Sequence, residues 1–428
     1  MKTLQLPLAV TAILAACAAP AIDGSNPLEQ REDLKLQVYT ARIENGLSSE
    51  IVVNVPSGMQ SMLMEVRGSR GLYYLSKFKT PNGELIEGAQ YTTRLAREVP
   101  GLVDWIYPNT PKLRLDPGEY RLLIRGESPD TSRLESENIE LRVYFKKEQP
   151  FQTCTVQLDF LLDERTLGGL SETEVDAQLL KPAVEWLNDL LQPRGIRIPY
   201  YSQSRITLPT GKFDAQDSDD VTKHVDTVLA QARESGSART DTVHMVLVES
   251  IGGSDTAGYS MGLPGPIDAD RPNAAVLVSM EESKFTGGYR TVEDLASTMG
   301  HELGHYFGLY HTSEASGDKH DPIEDTPQCT SGGACSDEYT RNIMSSGGGA
   351  TRGVISAGQA FVLRSHPLCK PEEFTPPPIE CKLTCFGGDI CAVIDGNQSC
   401  LPACDLSQPV CQAGSCQPDD NGTVVCAP

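Results

Sequence analysis

The residues best equipped for chemistry stand in one stretch: His301, Glu302, His305 and His311, spaced as H-E-x-x-H-x-x-G-x-x-H with Gly308 at the glycine. On a helix, residues four apart share a face, so His301 and His305 can aim two imidazoles at one metal ion. Glu302 lies one step round, where its carboxylate reaches a water on the metal rather than the metal itself. Gly308 lets the chain leave the helix through a conformation other residues avoid. The turn then returns His311 as a third ligand. Three protein ligands leave the fourth position of a tetrahedral Zn2+ open, the mark of a catalytic rather than a structural site. Surface histidines on an amphipathic helix are the bland alternative, and the two further fixed positions weigh against it.

The spacing demands a helix, and Thr291 with Asp294 caps its start. Val156, Leu158 and Phe160 read as a first strand of the same block, which spans 150–369. Ser171 and Glu174 form a capping box for a helix carrying Val175, Leu179, Ala183, Leu187 and Leu190, in which Pro182 should introduce a kink. A strand at 196–200 and a second helix from near Ser218 follow. The apolar runs 243–248 and 274–278 read as buried strands. Between them a Gly-rich stretch with Tyr259 and Met261 is placed as an edge strand flanking a cleft. Strands and helices alternating in this way predict an α/β sheet packed on two long helices.

After His311, the stretch 317–327 is dense in oxygen ligands. Asp318, Asp325 and Thr326 are candidate Ca2+ ligands there. Cys329 and Cys335 close a short loop, Asn342 and Met344 follow, and a last helix is expected from Ala357 to about Ser365.

The flanks differ in kind. Residues 1–17 read as an exported segment, with an apolar run ending in Leu14-Ala15-Ala16-Cys17. This resembles the lipobox of bacterial lipoproteins, which implies acylation of Cys17 and an outer-membrane or surface location. An ordinary secretory signal is the alternative. Residues 18–31 are a polar tether. Between 32 and 148, apolar and polar residues alternate with period two. Ile139, Leu141, Val143 and Phe145 are expected inside, with Glu140, Arg142, Tyr144 and Lys146 outside. With turn signals between the runs, an N-terminal all-β sandwich accessory domain is expected, in a binding, spacing or propeptide role. Residues 370–380 form a Pro-rich linker. Residues 381–428 hold eight cysteines, too short a module for an apolar core and thus disulfide-rich.

The chain is therefore multidomain, as its 428 residues suggest. A formal charge of -22 argues against nucleic acid as partner. No stretch beyond the N-terminus is long and apolar enough to span a membrane. Beyond Cys17 the twelve remaining cysteines are an even set, which after an export signal reads as disulfides. Cys154 can pair with Cys369 and tie the ends of its block together. It can also serve as a thiolate on the zinc of a latent form. His244 and His224 read as structural or surface groups, and His320 competes poorly with His311 on spacing.

Motif and element order resemble the metzincin zinc endopeptidases, in which a Met-turn underlies the three histidines, and Met344 matches that Met. Within them the stretch 150–370 is most similar to the pappalysins, through Gly317-Asp318 with Asp325-Thr326-Pro327, Cys329 with Cys335, Asn342 with Met344, and Gly358-Gln359. The resemblance implies an α/β metzincin-type catalytic domain, Zn2+ on the three histidines, Glu302 as general base and a protein or peptide substrate. It also leads one to expect a Tyr at position 346, where Ser346 stands. A surface binding protein with a vestigial protease fold is the alternative, and a zinc aminopeptidase or amidase the third.

Overall fold

The structure is a computed structural model. It describes residues 31–69, 71–83, 85–87, 100–128, 133–164, 170–208, 212–214, 225, 227–232, 241–252, 256–269, 271–280, 291–317, 319–330, 335–346, 352–377, 389–394, 397–402, 415–418 and 424–427. The export segment with Cys17, the tether up to residue 30, the helix start near Ser218, His224 and Asp318 lie outside the described residues.

Nine strands make up the N-terminal part: β1 (Leu34–Glu44), β2 (Leu47–Ser48), β3 (Ile51–Val55), β4 (Met59–Arg67), β5 (Leu72–Lys79), β6 (Leu85–Glu87), β7 (Leu102–Tyr107), β8 (Gly118–Glu127) and β9 (Ser136–Lys147). They join in one antiparallel path, β6-β5-β8-β2-β1-β9-β4-β7, with β3 paired to β8. Phe78 on β5 and Tyr107 on β7 stand far apart along that path, yet their rings meet edge-on at 5.0 Å. The sheet therefore curls over its own apolar face, which buries Ile43, Val53, Met64, Tyr120 and Leu141 together.

The alternation along β9 holds only to Val143. Tyr144 and Lys146, expected in solvent, are buried at 1% and 2% exposure. Tyr144 joins Leu34, Leu63 and Ile106 in the core that also contains Leu303 and Phe307, so the outer face of this sheet packs on the next block. Lys146 Nζ donates to the carbonyls of Arg364, His366 and Cys369. A lone period-two strand cannot reveal that its polar face meets another layer.

In that block, β10 (Cys154–Thr155), β12 (Ile196–Arg197) and β19 (Lys370–Pro371) form a small sheet. The main sheet is β13-β11-β15-β18-β17, built from β11 (Leu158–Asp163), β13 (Tyr201–Ile206), β15 (Val243–Val248), β17 (Gly258–Ser260) and β18 (Ala275–Ser279). All its pairs are parallel except β17–β18. Strands β11, β15 and β18 are buried along their whole length, as parallel strands covered on both faces must be. The strand expected at 196–200 forms only over Ile196–Arg197 as β12, and β13 begins at Tyr201, beyond Pro199, which has no N–H to donate.

Helices cover the sheet. Ser171 and Glu174 make the reciprocal capping box of α1 (Glu172–Val175). A π turn over Asp176–Leu180 leads into α2 (Lys181–Leu191), with Pro182 in its first turn, so the missing N–H falls where the ladder is already re-set. α3 (Val292–Tyr306) starts on Thr291, whose side chain accepts from the Asp294 N–H. It is followed by α4 (Asp337–Arg341) and α5 (Ala357–Ser365). Two disulfides close the block, Cys154–Cys369 and Cys329–Cys335, and the first leaves no Cys154 thiolate to reach a metal. Strands β14 (Lys212–Asp214) and β16 (Ser250–Gly252) pair with each other. Near the C-terminus β20 (Asp389–Ile394) pairs β21 (Asn397–Pro402), and β22 (Ser415–Pro418) pairs β23 (Val424–Ala427). Their registers set Cys391 opposite Cys400 and Cys416 opposite Cys426. Among the described residues no helix is long and apolar enough to cross a membrane.

Candidate metal centre

The four residues singled out by spacing are brought together. His301 and His305 lie on the last turns of α3, both almost fully buried. Gly308, at φ +100°, turns the chain, and the Cβ of any larger residue there would lie 2.8 Å from Ile106 Cγ2. His311 then returns with its Nε2 3.2 Å from that of His305 and 3.3 Å from that of His301. Among the described residues this is the one group of three or more His, Cys, Asp or Glu placed to hold a metal ion.

The tautomers follow from the outer partners. His301 Nδ1 faces the carbonyl of Ile343 at 2.7 Å and His305 Nδ1 the carbonyl of Leu309 at 2.7 Å. His311 Nδ1 faces Glu314 Oε2 at 3.1 Å. Carbonyls and carboxylates only accept, so each Nδ1 carries the proton and each Nε2 presents a lone pair. The His311 lone pair lies 3.2–3.3 Å from the other two nitrogens, all three ligand atoms lie within 4.8 Å of one another, and lone pairs converging so closely repel unless a cation lies among them. A tetrahedral Zn2+ with its usual bonds to nitrogen sets its ligand atoms about 3.3 Å apart, so the donor set fits the ion. Burial, with His305 and Arg352 nearby, holds the His301 imidazole well below its ordinary pKa and keeps it a neutral ligand.

Glu302 is held on the other side. Its Oε2 accepts the backbone N–H of Ser260 at 2.7 Å. A Cβ on Gly258 would lie 2.5 Å from Glu302 Cγ, so the edge strand β17 rests on this side chain. Met261 N–H and Ala257 C=O bond to β18, so by alternation the polar groups of Gly258 and Ser260 face the open edge. Tyr259 is half-buried on that strand.

Met344 is fully buried with its Sδ 2.4 Å from where a Cβ of Gly304 would be, between the turns that carry His301 and His305. The turn is fixed by Asn342, whose Oδ1 accepts Met344 N–H at 2.9 Å and whose amide pairs with Gln359. Ser346 hydrogen-bonds the Tyr339 hydroxyl at 2.7 Å.

The acidic stretch behaves differently. Both oxygens of Asp325 accept bonds from the start of α5, Ser356 Oγ at 2.7 Å and Gly358 N at 2.8 Å. The Thr326 hydroxyl donates to Asp321 at 2.7 Å. Asp325 and Thr326 thus hold the last helix and the loop, and Asp318 lies outside the described residues. His320 bonds Ser313, and His244 is buried against Asp159 on neighbouring strands. Glu314, Gly258 and Ser260 were not singled out by sequence. Of these only Glu314, three residues past His311, had a spacing that could have pointed to it.

His366 is buried behind the site. Leu368 N–H donates to its Nδ1, and its Nε2 faces the Gly265 carbonyl at 3.1 Å. A second proton would set N–H against N–H, and burial lowers its pKa to about 3. The unfolded chain takes up that proton near pH 6.5, so stability should fall as pH drops from there towards 3, by up to about 1.4 kcal/mol per unit. Denaturant titrations at pH 7 and pH 5 should show a smaller loss in His366→Gln, and an equal loss in both would refute this assignment.

Residues 194–353 match the family model described as "Reprolysin_5, metallo-peptidase family M12". An "Extracellular metalloprotease" of Colletotrichum graminicola is 29% identical over 156 residues, 35% of this chain and 49% of that protein. The chain thus spans about half the length of this curated relative. Metalloproteinase-II of Bacteroides fragilis aligns at 11% identity and a TM-score of 0.30, over 52% of this chain and 61% of that one. The family match and the histidine triad together support a metallopeptidase domain here.

Proposed function

We propose that this chain is an exported zinc metalloendopeptidase. The convergence of three neutral Nε2 atoms beside a carboxylate held on an open sheet edge carries the reading. His301, His305 and His311 would hold the metal, with Ile343, Leu309 and Glu314 fixing their orientation. Bound Zn2+ supplies an acidified water and a polarised carbonyl. Glu302 takes the proton of the attacking water and returns it to the leaving amine. A peptide substrate lies extended along β17, where the edge offers main-chain groups for β-augmentation. Met344 and the Asn342–Gln359 pair support the metzincin plan, and the sequence around them resembles the pappalysins, whereas the matched family model is M12. The mechanism rests on the shared three-histidine plan, not on the subtype. Export is supported by the disulfides, by the extracellular relative and by the Cys17 segment, whose lipid anchor would place the enzyme at an outer membrane.

Purified full-length protein should carry one zinc per chain and cleave unfolded protein substrates. A chelator should abolish cleavage and added Zn2+ should restore it. Retained zinc with no cleavage of any peptide in a broad panel would favour the vestigial binding protein instead.

A further inference from the structure

We infer that the N-terminal sheet is a fixed wall of the catalytic unit, and that Arg271 is the positioning residue through which it holds the substrate edge. The segment between β17 and β18 leaves Ser260 beside Glu302 and returns past Arg271. Arg271 is 3% exposed. Its Nη1 donates to Asp104 Oδ1 at 2.5 Å and lies 3.1 Å from Glu65 Oε2. Both carboxylates belong to the N-terminal strands β7 and β4, and both side chains are fully buried. Asn273 Nδ2 donates to the other oxygen of Asp104 at 2.8 Å, and Ile267 N–H to Glu65 Oε1 at 2.9 Å. Arg67 reaches Asp268 at 2.9 Å.

The same segment is pinned to the zinc-motif helix. Gly265 N–H donates to the Tyr306 carbonyl at 2.7 Å, and the Tyr306 hydroxyl to the Pro266 carbonyl at 2.9 Å. A Cβ on Gly265 would overlap the Tyr306 ring. Tyr306 directly follows His305, and Ile106 of β7 fills the space beside Gly308. The wall, the segment, the edge strand and Glu302 therefore form one connected path. Pulling the sheet away would leave Arg271 without these two carboxylates and Asp104 without its cation, while Glu65 would keep only Arg67 of its own strand. The seam is closed by buried ion pairs and hydrogen bonds rather than by exposed contacts.

Two arms test this on the full chain. A protease site placed at 149–152 allows the link between β9 and β10 to be cut. The two pieces should then co-elute in about 1 M salt, where exposed ion pairs are screened. Separation of the pieces, or activity that rises on cutting, would overturn the wall. The second arm rests on the peptidase reading and compares Arg271→Met, Arg271→Lys and the rim variant Arg67→Gln. Arg271→Met should keep one zinc per chain, lose about tenfold or more in kcat and raise KM, because the displaced edge both binds peptide and holds Glu302. Lysine should rescue part of the loss, and Arg67→Gln, which stays folded with Arg271 in place, should show a smaller change of the same kind. Loss of folded, zinc-loaded molecules with an unchanged KM in those that remain would reduce Arg271 to a structural role. Absence of any cleavage in wild type would sink the peptidase reading and leave the co-elution result standing.

Discussion

Replacing Glu302 with alanine should lower turnover by about a thousandfold or more while zinc remains at one per chain. The two effects separate because the ligand nitrogens are oriented by Ile343, Leu309 and Glu314, none of which depends on Glu302. Glu302→Gln sharpens the test. An amide oxygen can still accept the Ser260 N–H that the carboxylate now accepts at 2.7 Å, so the edge strand stays in place and only the base is lost. Both variants should therefore be equally inactive with metal content close to wild type, the glutamine variant melting near wild type and the alanine variant, which leaves the Ser260 N–H without its acceptor, melting lower. A glutamine variant that kept more than about a tenth of wild-type turnover would show that Glu302 positions the edge rather than moving a proton. The alternative of a vestigial fold predicts no difference among the three proteins.

The zinc motif was legible because its geometry is local. His301 and His305 are one helical turn apart, and Gly308 gives the exit to His311 within three further residues. The last helix forms over the expected residues 357–365, and the capping box that starts it spans only Ser356 to Gln359. What escaped notice depends on contacts that sequence spacing does not encode. Ser260 and Glu302 are 42 residues apart, and nothing in a Gly-rich stretch says which backbone N–H will face a carboxylate. Tyr144 and Lys146 obey a period-two pattern that normally puts such residues in water. Their burial follows from a second layer contributed by residues beyond 300. The acidic stretch carries a further contact of this kind. Asp325 lies in an oxygen-rich run that reads as a cation loop, and its carboxylate also accepts from Ser356 Oγ and the Gly358 N–H at the start of α5.

Opening the Cys154–Cys369 bond should cost the fold far more than opening Cys329–Cys335. The first spans a sequence separation of 215 residues and the second one of 6. On chain entropy alone the unfolded state is restricted by about 5 kcal/mol in the first case and about 2 kcal/mol in the second. The native state loses little when the long bridge opens, because its ends are also joined by other bonds. Cys154 pairs with Pro371 and Thr155 with Lys370 in the small sheet. Thr153 donates to the Glu372 carbonyl at 2.6 Å, and Lys146 holds the Cys369 carbonyl. Cys154→Ser/Cys369→Ser should therefore still fold at low temperature, with its zinc site intact, and melt about 10 °C or more below wild type. Cys329→Ser/Cys335→Ser should lose less than half as much. The ordering matters for where the protein can work. A chain that relies on the long bridge at its working temperature is stable only where thiols are oxidised, which agrees with export and disagrees with a cytosolic role. Equal melting of the oxidised and reduced proteins would remove that argument, and with it the strongest structural support for an extracytoplasmic location.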